Sequence, residues 1–342
     1  MKPPTPVVSV LMPCYNSAQS LNQALDSIFS QTLSNFELIA VDDGSTDGTA
    51  QLLQQRAATD PRLKLIKIPH RGIVAALKRG LEACRAPFIA RMDSDDIAHP
   101  DRLRLQLDFL ERNPQIGVAG CLVKAFPEHQ VRQGFQVYLD WLNALIDNSS
   151  IRREIFIESP LPHPSVTFRR EQVLSAGGYL DRGWAEDYDL WLRLYLAGVG
   201  FGKVPQVLLD WREDAGRLTR TDSRYSLENF IRAKAHYLPR GPLAGRESVI
   251  IWGAGMTGRR ICKQLVRQDV PVKAFIDVDQ RKIGRTKRGF QVYSPEKIPE
   301  LWDSSPNPDL LSAVAARRAR TLIREYLVDL NFVEGIDFWM VA

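Results

Sequence analysis

The chain has 342 residues, of which 44% are hydrophobic and 25% charged, and its formal net charge is +5. This ordinary globular balance excludes extended disorder, gives no sign of a nucleic-acid partner, and allows two domains. The four cysteines are widely spaced without CxxC pairs, and no stretch resembles a signal peptide or reaches about 18 consecutive apolar residues, which predicts a cytoplasmic protein without zinc, disulfides or a membrane-spanning helix.

Residues 7 to about 120 alternate between short β-rich runs and segments with apolar residues at helical spacing, which predicts a parallel sheet with helices on its faces. The predicted strands are 7–13, 36–43, 63–69, 88–93 and 116–120, and the predicted helices are 20–32, 46–59, 72–84 and 100–113. Ligands bind such sheets beyond the carboxyl ends of the strands. The polar segments that follow the strands, PCYN, DDGSTD, HRG and DSDD, are therefore expected to meet at one edge.

The segment RMDSDDIAHPDR places Asp93, Asp95 and Asp96 directly after the fourth strand. One interpretation is a capping turn, because Asp favours helix N-caps and Pro100 suits the first helical position. The other is a divalent cation site, because carboxylates after a strand supply hard oxygen ligands and leave positions open for phosphate. These residues by themselves leave both interpretations open.

Two earlier strand ends offer contacts to a nucleobase. Asp43 is suited to accept a hydrogen bond from a base edge, and Tyr15, which follows Pro13, presents a ring that can stack on a base. Packing at the rim of the core is the alternative for this tyrosine. In VDDGSTDGT, Ser45 or Thr46 is expected to cap the following helix.

A later helix, AEDYDLWLRLYLAG, begins with Glu186, Asp187 and Asp189. Acidic residues at this place complement the helix dipole without any further function. The next turn carries apolar residues at core-like spacing, so Glu186 and Asp187 are alternatively expected in a partly apolar pocket. A carboxylate in that setting serves as a general base towards a hydroxyl.

A stretch rich in Pro and Gly near residues 236–248 is interpreted as a linker, which gives predicted domains at 1–240 and 246–342. The second domain contains the turn GAGMTG between a strand and a helix, followed by an acidic residue at the end of the next strand. The residues of this pattern are Gly253, Gly255, Gly258 and Asp277. The pattern is typical of dinucleotide binding and makes NAD(P) a candidate cofactor, although such turns also occur for packing alone.

Four segments, in this order, resemble the family 2 glycosyltransferases of the GT-A fold: VSVLMPCYNSAQSLNQALDSIFSQTLSNFELIAVDDGSTDGT, IARMDSDDIAHPDRLRLQLDFLERNP, HPSVTFRREQVLSAGGY and AEDYDLWLRL. The resemblance covers about the first 240 residues and implies a GT-A α/β domain followed by a smaller Rossmann-like domain. It implies that Pro13, Tyr15 and Asp43 hold the nucleobase and that Asp93 lies near the ribose. Arg71 stands where small polar residues are common in the family, and it is expected near the diphosphate.

The resemblance also implies the reacting groups. Asp95 is expected on a divalent metal, usually Mn²⁺ or Mg²⁺, and Asp96 is expected to assist it or to serve the following helix. Asp187 is expected to act as the base with Glu186 as its neighbour. The implied reaction is the inverting transfer of a sugar from a UDP-, dTDP- or GDP-sugar to a hydroxyl of a glycan or lipid-linked acceptor, in the synthesis of surface polysaccharide or lipopolysaccharide.

Two alternatives concern the C-terminal domain. It is either a sugar-nucleotide oxidoreductase or epimerase centred on GAGMTG, or a nucleotide-binding regulatory or assembly unit. The basic segment 281–289 is interpreted as a solvated loop, with contact to an anionic lipid or polyphosphate surface as the alternative. Such contact places the protein at the inner face of the plasma membrane.

Overall fold

A computed structural model describes residues 5–214 and 216–342 of the protein. These residues form two compact units, each made of several pieces of chain. The first takes in the residues up to Ile151 together with Pro160–Arg182 and Asp189–Arg217, and the second takes in Arg152–Ser159, Gly183–Tyr188 and Leu218–Ala342. The domain bounds inferred from the sequence, 1–240 and 246–342, stay a prediction.

From β1 to residue 120 strands and helices alternate as predicted, apart from one added two-residue strand, and the elements from there to Arg217 are less regular. The strands are β1 Val8–Cys14, β2 Phe36–Asp43, β3 Leu63–Ile68, β4 Phe88–Arg91, β5 Ile97–Ala98, β6 Ile116–Phe126, β7 Thr167–Arg169 and β8 Gly200–Arg212. The helices are α1 Ala18–Phe29, α2 Thr49–Thr59, α3 Ile73–Ala83, α4 Arg102–Arg112, α5 Gln133–Ala144, α6 Asn148–Glu154, α7 Arg170–Ser175 and α8 Glu186–Leu196.

The first sheet has eight strands in the order β3-β2-β1-β4-β7-β6-β8-β5. Its first four strands are parallel, so their carboxyl ends share one edge, whereas β7 runs antiparallel to both of its neighbours. Every residue of β1 and β2 is buried, as expected for central strands covered by helices on both faces. The predicted meeting of the polar segments that follow β1 to β4 is a consequence of this order.

Both helix caps predicted in this region are wrong. Helix α4 begins at Arg102 with Asp101 as its N-cap, and the two-residue strand β5 separates it from the acidic segment, so Asp96 does not serve this helix. Helix α2 begins after Gly48, and Ser45 and Thr46 instead bond to Asn16 in the loop after β1. Neither difference could be predicted locally, because each depends on a partner distant in sequence.

The second unit contains another sheet. Its strands are β9 Ser248–Trp252, β10 Val272–Ile276, β11 Thr286–Lys287, β12 Phe290–Tyr293, β13 Pro308–Ser312 and β14 Phe338–Met340, and the helices of this part are α9 Leu218–Thr221, α10 Leu227–Tyr237, α11 Met256–Val266, α12 Ile298–Asp303 and α13 Arg317–Asp329. The order is β11-β12-β10-β9-β13-β14, with all but β11 parallel. The five parallel strands follow the Rossmann order 3-2-1-4-5 without a sixth strand, and β11 is an added antiparallel edge strand, which confirms the predicted fold class.

None of the helices within residues 5–214 and 216–342 combines the length and the apolar composition needed to cross a bilayer. The stretch that was interpreted as a linker is largely ordered. Helix α10 extends into it as far as Tyr237, and a helical turn over Leu238–Arg240 continues it. This stretch is ordered because the side chains of Tyr237, Leu238 and Leu243 are buried in the hydrophobic core.

Candidate functional site

The acidic segment follows β4 at the carboxyl edge of the first sheet. Asp93, Asp95 and Asp96 each offer a carboxylate oxygen, and these oxygens lie within 4.8 Å of one another. Asp93 is ion-paired with the buried Arg91 at the end of β4. The sequence-predicted carboxylates are thus brought together in one turn.

Burial and mutual repulsion make this turn unfavourable without a counter-charge. Burial, followed by the neighbouring Asp93 carboxylate, raises the pKa of Asp95 to about 6. The pKa of Asp96 is raised well above its usual range by burial and then by the charges of Asp95 and Asp93. Asp96 is 1% exposed, and its Oδ2 atom has no hydrogen-bond partner.

These properties fit a divalent cation. An orphaned carboxylate oxygen inside a cluster of three carboxylates is an unusual cost for a folded protein, and a hard cation removes that cost by direct coordination. Asp95 and Asp96 are the residues that would hold it. The structure therefore favours the metal interpretation of DSDD over the capping interpretation, which the start of α4 excludes.

Arg212, the last residue of β8, forms hydrogen bonds with this acidic turn. Its main-chain N–H donates to Oδ1 of Asp96 at 2.8 Å, and its Nε atom donates to the carbonyl oxygen of Asp95 at 2.6 Å. Its Nη2 atom donates to Gln23 at 2.7 Å, and its guanidinium lies 4.4 Å from the centre of the Phe126 ring. The pairing of β5 with β8 brings the two segments together.

Asp43, at the end of β2, is 2% exposed and holds the loop after β3. Its two carboxylate oxygens accept the main-chain N–H groups of Arg71 and Gly72 at 2.9 and 2.8 Å, and the second oxygen lies 2.9 Å from Nδ1 of His70. Gly44 permits this approach, because a Cβ atom there would lie 2.7 Å from the main-chain nitrogen of His70. Asp43 therefore has a structural role, and its contact with a base stays a prediction.

Tyr15 packs one face of its ring against His70, with the ring centres 4.0 Å apart and the planes tilted by 18°. Tyr15 is 47% exposed, and Pro13 precedes it within β1, opposite Val41 of β2. The side chain of Arg71 is exposed beside this pair, and its main-chain N–H belongs to the bond with Asp43. The loop after β3 is thus close to the four residues predicted to bind the donor at this edge, which are Pro13, Tyr15, Asp43 and Arg71.

The two carboxylates predicted to provide the general base and its neighbour lie at the start of α8. Glu186 is 2% exposed, and its Oε2 atom accepts a hydrogen bond from the hydroxyl of Tyr225 at 2.7 Å. Asp187 is half-buried, and its Oδ1 atom accepts the main-chain N–H of Tyr188 at 2.7 Å. Asp189 is fully buried and ion-paired with Arg193 at 2.8 Å, which assigns it a structural role.

The glycine turn of the second sheet adopts the predicted strand–turn–helix geometry. Gly253 has φ +114°, and a Cβ atom on Gly258 would lie 1.8 Å from the carbonyl oxygen of Gly253, whereas one on Gly255 would meet open space. The acidic residue of this pattern binds the ribose in dinucleotide-binding domains. In this structure the carboxylate of Asp277 accepts the main-chain N–H of Ala254 at 2.9 Å and binds two further donors. These are the main-chain N–H of Asp279 and the ammonium of Lys282, both at 3.0 Å. The nucleotide-binding role of this turn stays a prediction.

Two residues of the site, His70 and Tyr225, were missed in the sequence, and a third, Arg212, is singled out there only as one of four nearby arginines suited to bind phosphate or an anionic acceptor. His70 stands in HRG after β3, where the strand-end rule points to it as well as to Arg71. Arg212 and Tyr225 carry no such signal, because their partners lie 116 and 39 residues away along the chain. Only tertiary structure identifies residues of this kind.

The match to known sequences extends over most of the first part of the chain. Residues 9–178 match the family model Glycosyl transferase family 2, and residues 245–303 match the model C2185-like, N-terminal. The chain is 34% identical to the amylovoran biosynthesis glycosyltransferase AmsE of Erwinia amylovora, over 60% of this chain and 75% of that protein. It is 31% identical to the UDP-Gal:alpha-D-GlcNAc-diphosphoundecaprenol beta-1,3-galactosyltransferase of Escherichia coli, over 69% of this chain and 85% of that protein.

A solved structure shares the fold of the first part. S. aureus TarS 1-349, in a crystal structure with UDP-GlcNAc, is similar with a TM-score of 0.55 and 20% identity, over 68% of this chain and 66% of that one. This likeness shows the GT-A fold alone, and the curated relatives show the family. The chain belongs to glycosyl transferase family 2 and is a glycosyltransferase.

Proposed function

We propose that the protein is a metal-dependent, inverting hexosyltransferase, which moves a sugar from a nucleotide-sugar donor to a hydroxyl of a glycan or lipid-linked acceptor in the synthesis of surface polysaccharide or lipopolysaccharide. The proposal rests on the cluster of Asp93, Asp95 and Asp96, in which the buried Oδ2 atom of Asp96 has no hydrogen-bond partner. This cluster lies at the edge of the sheet where the strands next to the proposed base-binding residues also end. The printed names of the curated relatives support it, since one acts in amylovoran biosynthesis and another on a diphosphoundecaprenol-linked sugar.

Each residue has a defined task in this reaction. A divalent cation, when bound by Asp95 and Asp96, supplies the positive charge that stabilises a departing nucleoside diphosphate. Tyr15 and Asp43 bind the base and Asp93 orients the ribose. Asp187 accepts the proton of the acceptor hydroxyl, and one in-line displacement then inverts the anomeric carbon.

The first experiment is to incubate the protein with a panel of UDP-, dTDP- and GDP-sugars and Mn²⁺ and to measure release of nucleoside diphosphate. We expect turnover with one class of donor, loss of turnover in EDTA and recovery on adding Mn²⁺. Asp95→Asn should behave like the chelated protein, while Asp101→Asn, which alters an exposed carboxylate of the next helix, should keep wild-type turnover. Full turnover in EDTA, or in Asp95→Asn, contradicts the proposal.

Contact with a membrane surface is a second part of the proposal. In the basic segment 281–289, Arg281 has 88% of its side chain exposed, and Arg285 and Arg288 are exposed as well. Val278, just before it, is 68% exposed. Basic and apolar residues in this combination bind anionic lipid headgroups. We expect the protein to sediment with vesicles containing anionic phospholipid and to remain in the supernatant with purely zwitterionic ones; equal sedimentation with both contradicts this part.

A further inference from the structure

Residues 183–188, which carry both candidate catalytic carboxylates, belong to the second compact unit together with the C-terminal part of the chain. Their aromatic side chains are held by helix α10. The Trp184 ring lies 5.5 Å from the His236 ring, and the Tyr188 ring lies 5.2 Å from the Phe230 ring. This packing fixes the segment on both sides of the acidic pair.

Tyr225 makes the polar contact to that pair. Its hydroxyl donates to Oε2 of Glu186 at 2.7 Å, and a carboxylate that is 2% exposed needs such a donor. Burial, followed by the charges of Glu186 and Asp187, raises the pKa of Tyr225 well above its usual range. The hydroxyl therefore keeps its proton and remains a donor throughout the physiological pH range.

The turn that presents Tyr225 is itself fixed. The carboxylate of Asp222 accepts the main-chain N–H of Arg224 at 2.9 Å and pairs with its guanidinium at 2.6 Å. On the other side, Ser226 is the N-cap of α10, and its hydroxyl oxygen accepts the main-chain N–H of Asn229 at 3.4 Å. The backbone on either side of Tyr225 is thus held by local bonds that do not involve Glu186.

We infer that Tyr225 is a positioning residue for the general base: it holds Glu186 at the first position of α8 and thereby orients the adjacent Asp187. The inference rests on the proposed function, because Asp187 acts as a base only in the proposed transfer. Helix ends fray unless their side chains are bonded, and a misplaced base loses much of its effect. The C-terminal unit accordingly contributes to the rate without binding the donor base.

The test is Tyr225→Phe in the full chain, with Tyr293→Phe, which removes a hydroxyl on β12 of the same unit, as the matched control. We expect kcat for transfer to fall on the order of 10-fold, since the base is retained but loosened. The KM for the donor should be unchanged, because the base-binding residues are untouched. Tyr293→Phe should retain both constants. A merely structural effect would lower the unfolding midpoint and move KM together with kcat.

A double-mutant cycle with Glu186→Gln shows whether Tyr225 acts through Glu186. If it does, Tyr225→Phe has much less effect on kcat in the Glu186→Gln background than in the wild type. Wild-type kcat in Tyr225→Phe, or the same fold-loss in both backgrounds, overturns the inference while wild-type transfer stands. Absence of transfer by the wild-type protein refutes the proposed function, and this inference with it.

Discussion

Arg212 is predicted to maintain the metal affinity of the acidic turn, and Arg212→Met tests this. The substitution keeps the main-chain bond to Asp96 but removes the Nε bond to the Asp95 carbonyl oxygen. It also removes the more exposed bond to Gln23, which contributes little. A partly buried hydrogen bond from a charged donor contributes about 1.5 to 3 kcal/mol.

This loss should appear in the binding of the cation, because the loosened turn must be ordered again when the metal binds. At about 1.4 kcal/mol per tenfold, the Kd for Mn²⁺ should rise about 10- to 100-fold. Free Mn²⁺ can be measured by electron paramagnetic resonance, so the readout does not depend on turnover. The control is Arg79→Met, which removes an exposed arginine of α3 that is paired with Glu82 on the surface of the same helix.

Two results would refute the reasoning. One is an Arg212→Met protein with the wild-type Kd for Mn²⁺, which would mean that the main-chain bond alone orders the turn. The other is an equal rise of the Kd in Arg79→Met, which would point to a general effect of replacing an arginine rather than to this contact; the loss of positive charge alone would lower the Kd for a cation. The unfolding midpoints of both variants show whether the whole domain has been weakened instead.

Three further predictions concern stability and the second unit. Burial lowers the pKa of Lys203 to about 7, so above pH 7 this lysine binds more protons in the unfolded chain than in the folded one and adds up to about 1.4 kcal/mol per pH unit to the free energy of unfolding. Between pH 7 and 8, urea unfolding should therefore show a steeper rise in the wild type and in the exposed control Lys78→Met than in Lys203→Met, in which the buried Lys234, with its pKa lowered to about 8, still contributes; an equal slope in all three proteins would be inconsistent with it. Gly44→Ala should lower the unfolding midpoint, because the new methyl group would meet the His70 main chain at 2.7 Å at a φ of +71°, and an unchanged midpoint would show that the loop adapts. Fluorescence titration of the full chain with NADH should show no saturable binding, since Asp277 is engaged by its own turn; micromolar binding would restore the dinucleotide interpretation.

The parts of the fold that the sequence predicts well are those governed by local periodicity. Strands β1 to β4 and the helices between them lie within a few residues of their predicted bounds, because each carries its own apolar pattern. The same local rule makes Tyr15, Asp43 and Asp95 candidates, since Asp43 ends β2, Tyr15 directly follows β1 and Asp95 lies four residues after β4.

The remaining features depend on contacts between distant residues. The capping role of Ser45 was a sound local prediction that failed, because Asn16 offers a competing partner. Strand β5 has two residues and exists through pairing with β8, which also brings Arg212 to the acidic turn. The donor to Glu186 comes from Tyr225, a residue with no distinguishing local pattern.

Asp187→Asn tests the central claim most directly. With the donor and acceptor that support wild-type turnover, the transfer rate should fall about 10²- to 10⁴-fold, the usual contribution of a general base. The Kd for the donor, measured on the same preparation in Mn²⁺, should stay at the wild-type value, because the base-binding and metal-binding residues are intact. Transfer at the wild-type rate by Asp187→Asn would contradict the account.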